Sequence, residues 1–195
     1  MKKRCRWITA VILICVLAAG IWTPAAFAAS SGPDVTGSAS YVYCATTEEV
    51  LWKQNADKQY NLASITKLMT CLIAAEKLDL SKEVTITAEA TQVKKSKSFV
   101  YADEKIKVED LIYGAMLASA NDAAKALAIA VSGSEKKFVK LMNQKAKELG
   151  CKNTKFVNSS GVYNKNHVST AEDIVKIARA AFANADILRI AGVSS

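Results

Sequence analysis

The sequence predicts a mixed α/β (α+β) chain in which an N-terminal pair of strands delivers the chain to a buried helix, followed by a helical second half. Three observations carry that prediction. Ser40-Tyr41-Val42-Tyr43-Cys44 and Val50-Leu51-Trp52 flank the polar stretch Thr46-Thr47-Glu48-Glu49, two β-prone runs around a short turn. Between Leu68 and Leu78, the residues Leu68, Met69, Cys71, Leu72, Ile73, Ala74, Ala75 and Leu78 point in nearly every direction of one helix, the pattern of a helix surrounded by protein. From Val108 onward apolar residues recur at helical spacing.

Taken in order, Asn55 to Leu62 leads from the hairpin to the buried helix, and Val84 to Thr87 is a short extended piece. Lys94 to Tyr101 is a polar connection whose lysines, Lys94, Lys95 and Lys97, read as solvated. Val108, Leu111, Ile112, Ala115 and Met116 share a helix that ends at Leu117 to Ala120. Ala123 to Val131 is a second short helix, stopping before Gly133. Ser134 to Leu149 sets Phe138, Leu141, Met142 and Leu149 on one face, with Gly150 placed to terminate it. Ser169 and Glu172 form a capping box opening a last helix with Ile174, Ile177, Ala178 and Phe182 inside.

The start of the chain reads as an export signal over residues 1–28. Lys2, Lys3, Arg4 and Arg6 precede an apolar run from Ile8 to Ile21, and Ala26-Phe27-Ala28 is a small-x-small cleavage site. The run is shorter than the ~20 apolar residues of a comfortable membrane span, which disfavours an uncleaved anchor. Residues 29–38 form a Ser/Gly/Pro linker, and residues 39–195 are the domain. The reading places the protein outside the cytoplasm, in a bacterial envelope or secreted. Removing four cations and no acids takes the formal charge from +8 to +4. That balance suits an acidic wall surface, and without a basic stripe or aromatic platform it is no nucleic-acid footprint. Cys44, Cys71 and Cys151 remain after cleavage; an odd set at no zinc or Cys-x-x-Cys spacing predicts free thiols, with room for one disulfide at most. One histidine, His167, and three scattered cysteines compose no metal-ligand set, and no glycine pattern for phosphate or dinucleotide binding occurs, so no cofactor is expected.

The chemistry concentrates in Ser64-Ile65-Thr66-Lys67. Residues three apart on a helix share a face, with Cβ atoms about 5–6 Å apart, so the Ser64 hydroxyl and the Lys67 amine can meet. Ser64 would also lie in the first turn, where unpaired N–H groups and the dipole favour an oxyanion. An ordinary lysine at pH 7 is neutral in only about one molecule in 2,500. Burial without a carboxylate partner lowers its pKa, and no carboxylate lies between Ser64 and Ala75. Ser134-Glu135-Lys136-Lys137 repeats the tetrad in a charged stretch and reads as solvated. Ser119-Ala120-Asn121-Asp122 admits two readings: a helix cap, or a turn in which Ser119 relays a proton while Asn121 holds a substrate amide. His167 has no Gly-x-Ser-x-Gly partner for a Ser-His-Asp mechanism and reads as an anchor for the loop before the last helix.

With these residues in view, the chain resembles the low-molecular-mass penicillin-binding proteins, serine-type D-alanyl-D-alanine carboxypeptidases of the β-lactamase-like superfamily. The likeness runs through Asn55-Ala56-Asp57, Leu62 to Thr70, Ser119 to Ala124, Phe156-Val157-Asn158-Ser159-Ser160-Gly161 and His167 to Asp173. It implies a β-lactamase/DD-peptidase-like transpeptidase fold. It also implies Ser64 as acylated nucleophile with its N–H in the oxyanion hole, Lys67 as general base, Ser119 as proton relay and Asn121 as substrate ligand. The implied partners are peptidoglycan stem pentapeptides ending in D-Ala-D-Ala and β-lactam antibiotics.

Three departures accompany the resemblance. Ser159 and Val162 stand where the family usually has proline and leucine, and no Lys-Thr/Ser-Gly tripeptide, the superfamily's third motif, occurs in the 195 residues. The expectation is therefore a partial catalytic domain, N-terminal strands plus helical subdomain, without the later sheet strands. A catalytically inactive truncated product that binds wall peptide or a partner is the alternative. A β-lactamase ranks third, because Ala120 occupies the middle of the second motif where class A enzymes have aspartate.

Overall fold

The computed structural model describes Pro33 and residues 35–98 and 100–193. The export segment and half of the linker read from the sequence lie outside the described residues. Strands β1 (Ser40–Cys44) and β2 (Glu49–Gln54) pair antiparallel, Ser40 opposite Gln54 and Cys44 opposite Glu49. The register shifts between Val42 and Tyr43, a bulge that bends the hairpin. After the two-residue strand β3 (Tyr60–Asn61), a 3₁₀ turn (Ala63–Thr66) runs directly into α1 (Lys67–Lys77). Strand β4 (Glu83–Thr85) and the single-turn α2 (Ala88–Thr91) follow, and β4 pairs with β5 (Lys105–Lys107). The helices α3 (Val108–Met116), α4 (Asn121–Ser132) and α5 (Glu135–Glu148) come next. Strand β6 (Val168–Ser169), α6 (Ala171–Ala183) and α7 (Ala185–Ala191) complete the order.

Helix α1 is the centre of packing. Its Cys71, Leu72 and Ala74 join a core with Leu111, Ile112, Ala115, Ala123, Leu127, Ile187 and Ile190. Its Met69 and Ile73 join a second core with Phe138, Met142, Phe156 and Ile177. A helix with both sides in a core must be apolar all round, which is what its sequence shows. Each fully buried Leu, Ile, Met or Phe contributes about 1.5–3 kcal/mol, so α1 is anchored from both flanks and its first turn is held rigidly.

Gly133 (φ +77°) supplies the left-handed conformation that stops α4, as expected. Ser134 accepts the Lys137 N–H at the start of α5, a cap the sequence reading did not assign.

Three expectations need correction. The cap of α6 is Thr170, whose hydroxyl accepts from Asp173 N. Ser169 instead lies in β6 opposite Tyr60, its hydroxyl bonded to Thr154 Oγ1, so tertiary pairing moved the cap one residue along. Phe182 is not inside: it is 42% exposed and lines an open hollow of about 520 Å³ between β1 and α6, with Tyr41, Tyr43 and Arg179. Ser119-Ala120-Asn121 is not a side-chain cap either. Ala120 is the N-cap of α4, with no side-chain hydrogen bond, and Asn121 is already helical.

Candidate active site

The 3₁₀ turn leaves Ser64 exposed while the next turn of chain sinks into the protein, so Lys67 is only 2% exposed. Lys67 Nζ lies 3.3 Å from Ser64 Oγ, 3.4 Å from Ser119 Oγ and 2.9 Å from the Ser160 carbonyl oxygen. No ion pair among the described residues includes Lys67. Desolvation holds its pKa below the ordinary lysine value; the neighbouring Cys71 opposes this weakly. Burial pushes the Cys71 thiol up to about 12, so at neutral pH it brings no charge to the lysine.

Counting protons shows what this arrangement can do. As an ammonium, Lys67 donates three hydrogen bonds, one to each of its three oxygen neighbours. As a neutral amine it keeps two N–H groups and a lone pair. The Ser160 carbonyl can only accept, so it claims one N–H in either state, and the lone pair must face one of the two hydroxyls. Neutral Lys67 is thereby placed to take a proton from Ser64 or Ser119. The two contacts at 3.3 and 3.4 Å are long for hydrogen bonds, as catalytic contacts often are before substrate tightens them.

Ser119 reaches the lysine from 52 residues away. Its φ of +54° is a left-handed conformation that costs a non-glycine residue about 1–2 kcal/mol. The bend sits between α3 and α4, and Ala120 N bonds to Gly114 O at 3.0 Å. The structure thus brings Ser64, Lys67 and Ser119 together.

Asn121 is held differently. Its Nδ2 donates to Lys94 O (3.0 Å) and Lys95 O (3.3 Å), and its N–H to Ser96 O (2.7 Å). Next to it, Asp122 accepts from Ser98 N, Ser98 Oγ and Val100 N. Both side chains fasten the Lys94–Tyr101 connection beside Ser119. No hydrogen bond among the described residues joins Asn121 to Ser64, Lys67 or Ser119, so the unliganded site uses it to shape a wall. The connection's lysines are exposed, as the sequence suggested.

The last wall is the turn 158–161, whose backbone chemistry no sequence pattern assigned. Asn158 Oδ1 accepts from Ser160 N (3.2 Å) and Gly161 N (2.7 Å), and Asn158 Nδ2 donates to Val162 O (2.8 Å). Ser159 O accepts from Thr70 Oγ1 at 2.7 Å. Gly161 has φ +85°, and a Cβ there would fall 1.7 Å from Ala63 O; only glycine lets this turn lie against the backbone that presents Ser64. The Asn-x-x-Gly spacing was the visible signal for the turn; the Ser160 carbonyl, a backbone atom, carried none.

His167 stands behind the site. Its Nδ1 accepts from Val157 N (3.2 Å), which requires the proton on Nε2, so Nε2–H donates to Thr66 Oγ1 at 2.8 Å. Burial lowers its pKa and keeps it neutral, and Phe156 meets its ring edge-on at 5.7 Å. It braces the 3₁₀ turn from beneath. Cys44, Cys71 and Cys151 are all free thiols.

A protein-family profile described as D-alanyl-D-alanine carboxypeptidase matches residues 26–193. The chain is 37% identical over 168 residues to the D-alanyl-D-alanine carboxypeptidase DacF of Bacillus subtilis, covering 81% of this chain and 43% of that protein. It is 33% identical over 155 residues to a D-alanyl-D-alanine endopeptidase of Escherichia coli, covering 78% of this chain and 50% of that protein. The solved structure of the D-alanyl-D-alanine carboxypeptidase DacD from Francisella tularensis superposes with a TM-score of 0.79 at 30% identity, over 82% of this chain and 40% of that one. The chain spans about half the length of these relatives, or less. Its mixed α/β architecture is that of the DD-peptidases. Matched along most of its length in sequence and in fold, the chain belongs to the D-alanyl-D-alanine carboxypeptidase family.

Proposed function

We propose that the chain carries the nucleophile half of a serine-type D-Ala-D-Ala carboxypeptidase acting on peptidoglycan stem peptides. The observation that supports it most is the Lys67 amine, buried without a carboxylate between the hydroxyls of Ser64 and Ser119. Ser64 Oγ attacks the carbonyl carbon of the terminal D-Ala-D-Ala bond as its proton passes to Lys67 Nζ. The Ser64 N–H, in the 3₁₀ turn, steadies the oxyanion. The C–N bond then breaks, and the leaving D-alanine nitrogen takes the proton through the Ser119 hydroxyl. Water next attacks the acyl ester, giving a proton back to Lys67 and returning Ser64. Asn121 lines the cleft beside the substrate amide. A β-lactam would acylate Ser64 by the same first step. Residues 1–28 export the chain to the wall, and the mature protein begins at Ala29; N-terminal sequencing of secreted product tests this.

The deciding experiment is fluorescent-penicillin labelling of the purified chain, with intact mass to locate the adduct and D-alanine release measured on a pentapeptide. A single adduct that vanishes in Ser64→Ala supports the reading; labelling that persists in Ser64→Ala moves the nucleophile elsewhere. A second reading, a wall-peptide binder without turnover, draws on the lack of a Lys-Thr/Ser-Gly tripeptide in the 195 residues. It predicts peptide binding with neither adduct nor D-alanine release. Sustained nitrocefin turnover would favour a β-lactamase over both.

A further inference from the structure

The turn that holds Lys67 is itself gripped by an acid. Ser159 donates its backbone N–H (2.9 Å) and its hydroxyl (2.6 Å) to one oxygen, Oε1 of Glu135. Ser159 is fully buried at 0% exposure, and Glu135 lies half-buried in the first turn of α5. Hydrogen bonds to an ionised carboxylate are about twice as strong as neutral ones. On its other side, the Ser159 carbonyl takes the Thr70 hydroxyl from α1. The next carbonyl along, Ser160 O, is the one that claims an N–H of Lys67. Glu135 itself takes no part in the proton transfers of acylation.

We propose that Glu135 and Ser159 form a clamp that aims the Ser160 carbonyl at Lys67 and keeps water from it, making both positioning residues for the Ser64–Lys67 pair. The proposal rests on Lys67 being the base. A proline at position 159, the residue the family resemblance leads one to expect, has neither N–H nor hydroxyl and could not make this grip. The clamp therefore belongs to this chain's own sequence. Without Glu135, two buried donors on Ser159 lose their acceptor, the turn loosens, and water reaches the ammonium. Among the described residues the hydrogen-bond partners of Lys67 are two hydroxyls and one carbonyl, and the Cys71 thiol is neutral; entering water replaces the carbonyl as acceptor for the ammonium, so relief of desolvation sets the direction of the change: the lysine becomes more ordinary and the pool of neutral amine shrinks.

The test is an NMR titration of the full chain carrying 13Cε-lysine, with Lys67→Arg to assign the signal. Wild type, Glu135→Ala, Glu135→Gln and Ser159→Ala are compared, each alongside its pH profile for penicillin acylation. Lys67 in the wild type should titrate below the other lysines. Glu135→Ala should raise its midpoint by about one pH unit and move the acylation profile the same way. Glu135→Gln, which keeps an oxygen acceptor, should move both far less. In the Ser159→Ala background Glu135→Ala should add less than it does alone, because the two changes break one interaction. A depressed wild-type midpoint that Glu135→Ala leaves in place would overturn the clamp and spare the base. A wild-type midpoint at the ordinary lysine value would overturn the base and the clamp together. Should Glu135→Ala fail to fold, Ser159→Ala, which removes one donor only, must raise the midpoint by itself for the clamp to stand.

Discussion

The chain contains the Ser-x-x-Lys pattern twice, as Ser64-Ile65-Thr66-Lys67 and Ser134-Glu135-Lys136-Lys137, and the two copies behave in opposite ways. Ser134 has an extended backbone (φ −167°), so its hydroxyl turns back and accepts the backbone N–H of Lys137 at 3.3 Å. The Lys137 ammonium points to solvent. Ser64 lies inside a 3₁₀ turn, and its hydroxyl takes the side-chain Nζ of Lys67 at 3.3 Å. One copy caps a helix; the other builds a reactive pair. The spacing is identical, so spacing cannot be what makes the chemistry. Burial of the lysine without an acid, and a backbone that withholds the serine from capping, make the difference. Desolvation is the largest cause of the lowered Lys67 pKa.

Substitution of the two serines should separate the copies most widely. Ser64→Ala is expected to reduce penicillin acylation by roughly a thousandfold or more, while Ser134→Ala leaves the rate alone. A rate in Ser134→Ala below half of wild type would mean that the Ser134 cap, and not only Glu135 beside it, feeds the site.

The lysines come next. Lys67→Ala should slow acylation by about 10²–10⁴ and Lys137→Ala should not change it, as measured by stopped labelling time courses. Equal effects from both would mean that the two copies do not differ in chemistry.

Stability gives two smaller contrasts. Gly161→Ala places a Cβ against Ala63 O and should cost about 2–4 kcal/mol, with acylation falling because the serine turn must shift; urea unfolding at a fixed pH reads the first effect. Ser134→Ala should cost about 1 kcal/mol by loss of its cap, whereas Ser64→Ala, with no cap to lose and an exposed hydroxyl, should change stability by a few tenths of a kcal/mol.

The smallest effect is the pH dependence of stability. Lys67 has a folded pKa below its unfolded value. Between those two values the unfolded chain holds more protons, so stability rises with pH across that window and is lowest beneath it. Comparing urea midpoints of wild type and Lys67→Met from neutral to alkaline pH isolates this term. A difference between them that stays flat would show that Lys67 titrates normally.

Much of the helical architecture could be read locally. The all-round apolar pattern of α1 and the glycine stops after α4 and α5, Gly133 and Gly150, each depend on neighbours within one or two turns, and each is present. The last helix shows where local reading fails. Ser169 and Thr170 are equally good caps by residue type, and the choice fell to Thr170 because Ser169 is drawn into pairing with Tyr60, far back in the chain. Phe182 fits the inward face by periodicity, yet no element covers it among the described residues, and it stays partly exposed.

Read from its letters, the chain sets Ser64 and Lys67 on one helical face, places no acid between Ser64 and Ala75 to neutralise the lysine, and follows them with an apolar helix. These are consequences of backbone geometry over a single turn. The apolar helix behind Lys67 and the charged stretch around Lys137 already told the two copies apart; what packs around Lys67 came from the tertiary structure. It also decided that Ser119 arrives from 52 residues away and that a carbonyl 93 residues away fixes one of the lysine's protons. A backbone carbonyl is the same atom in every residue, and burial is a property of what packs outside the segment. Neither is written in the serine and the lysine that the two copies have in common.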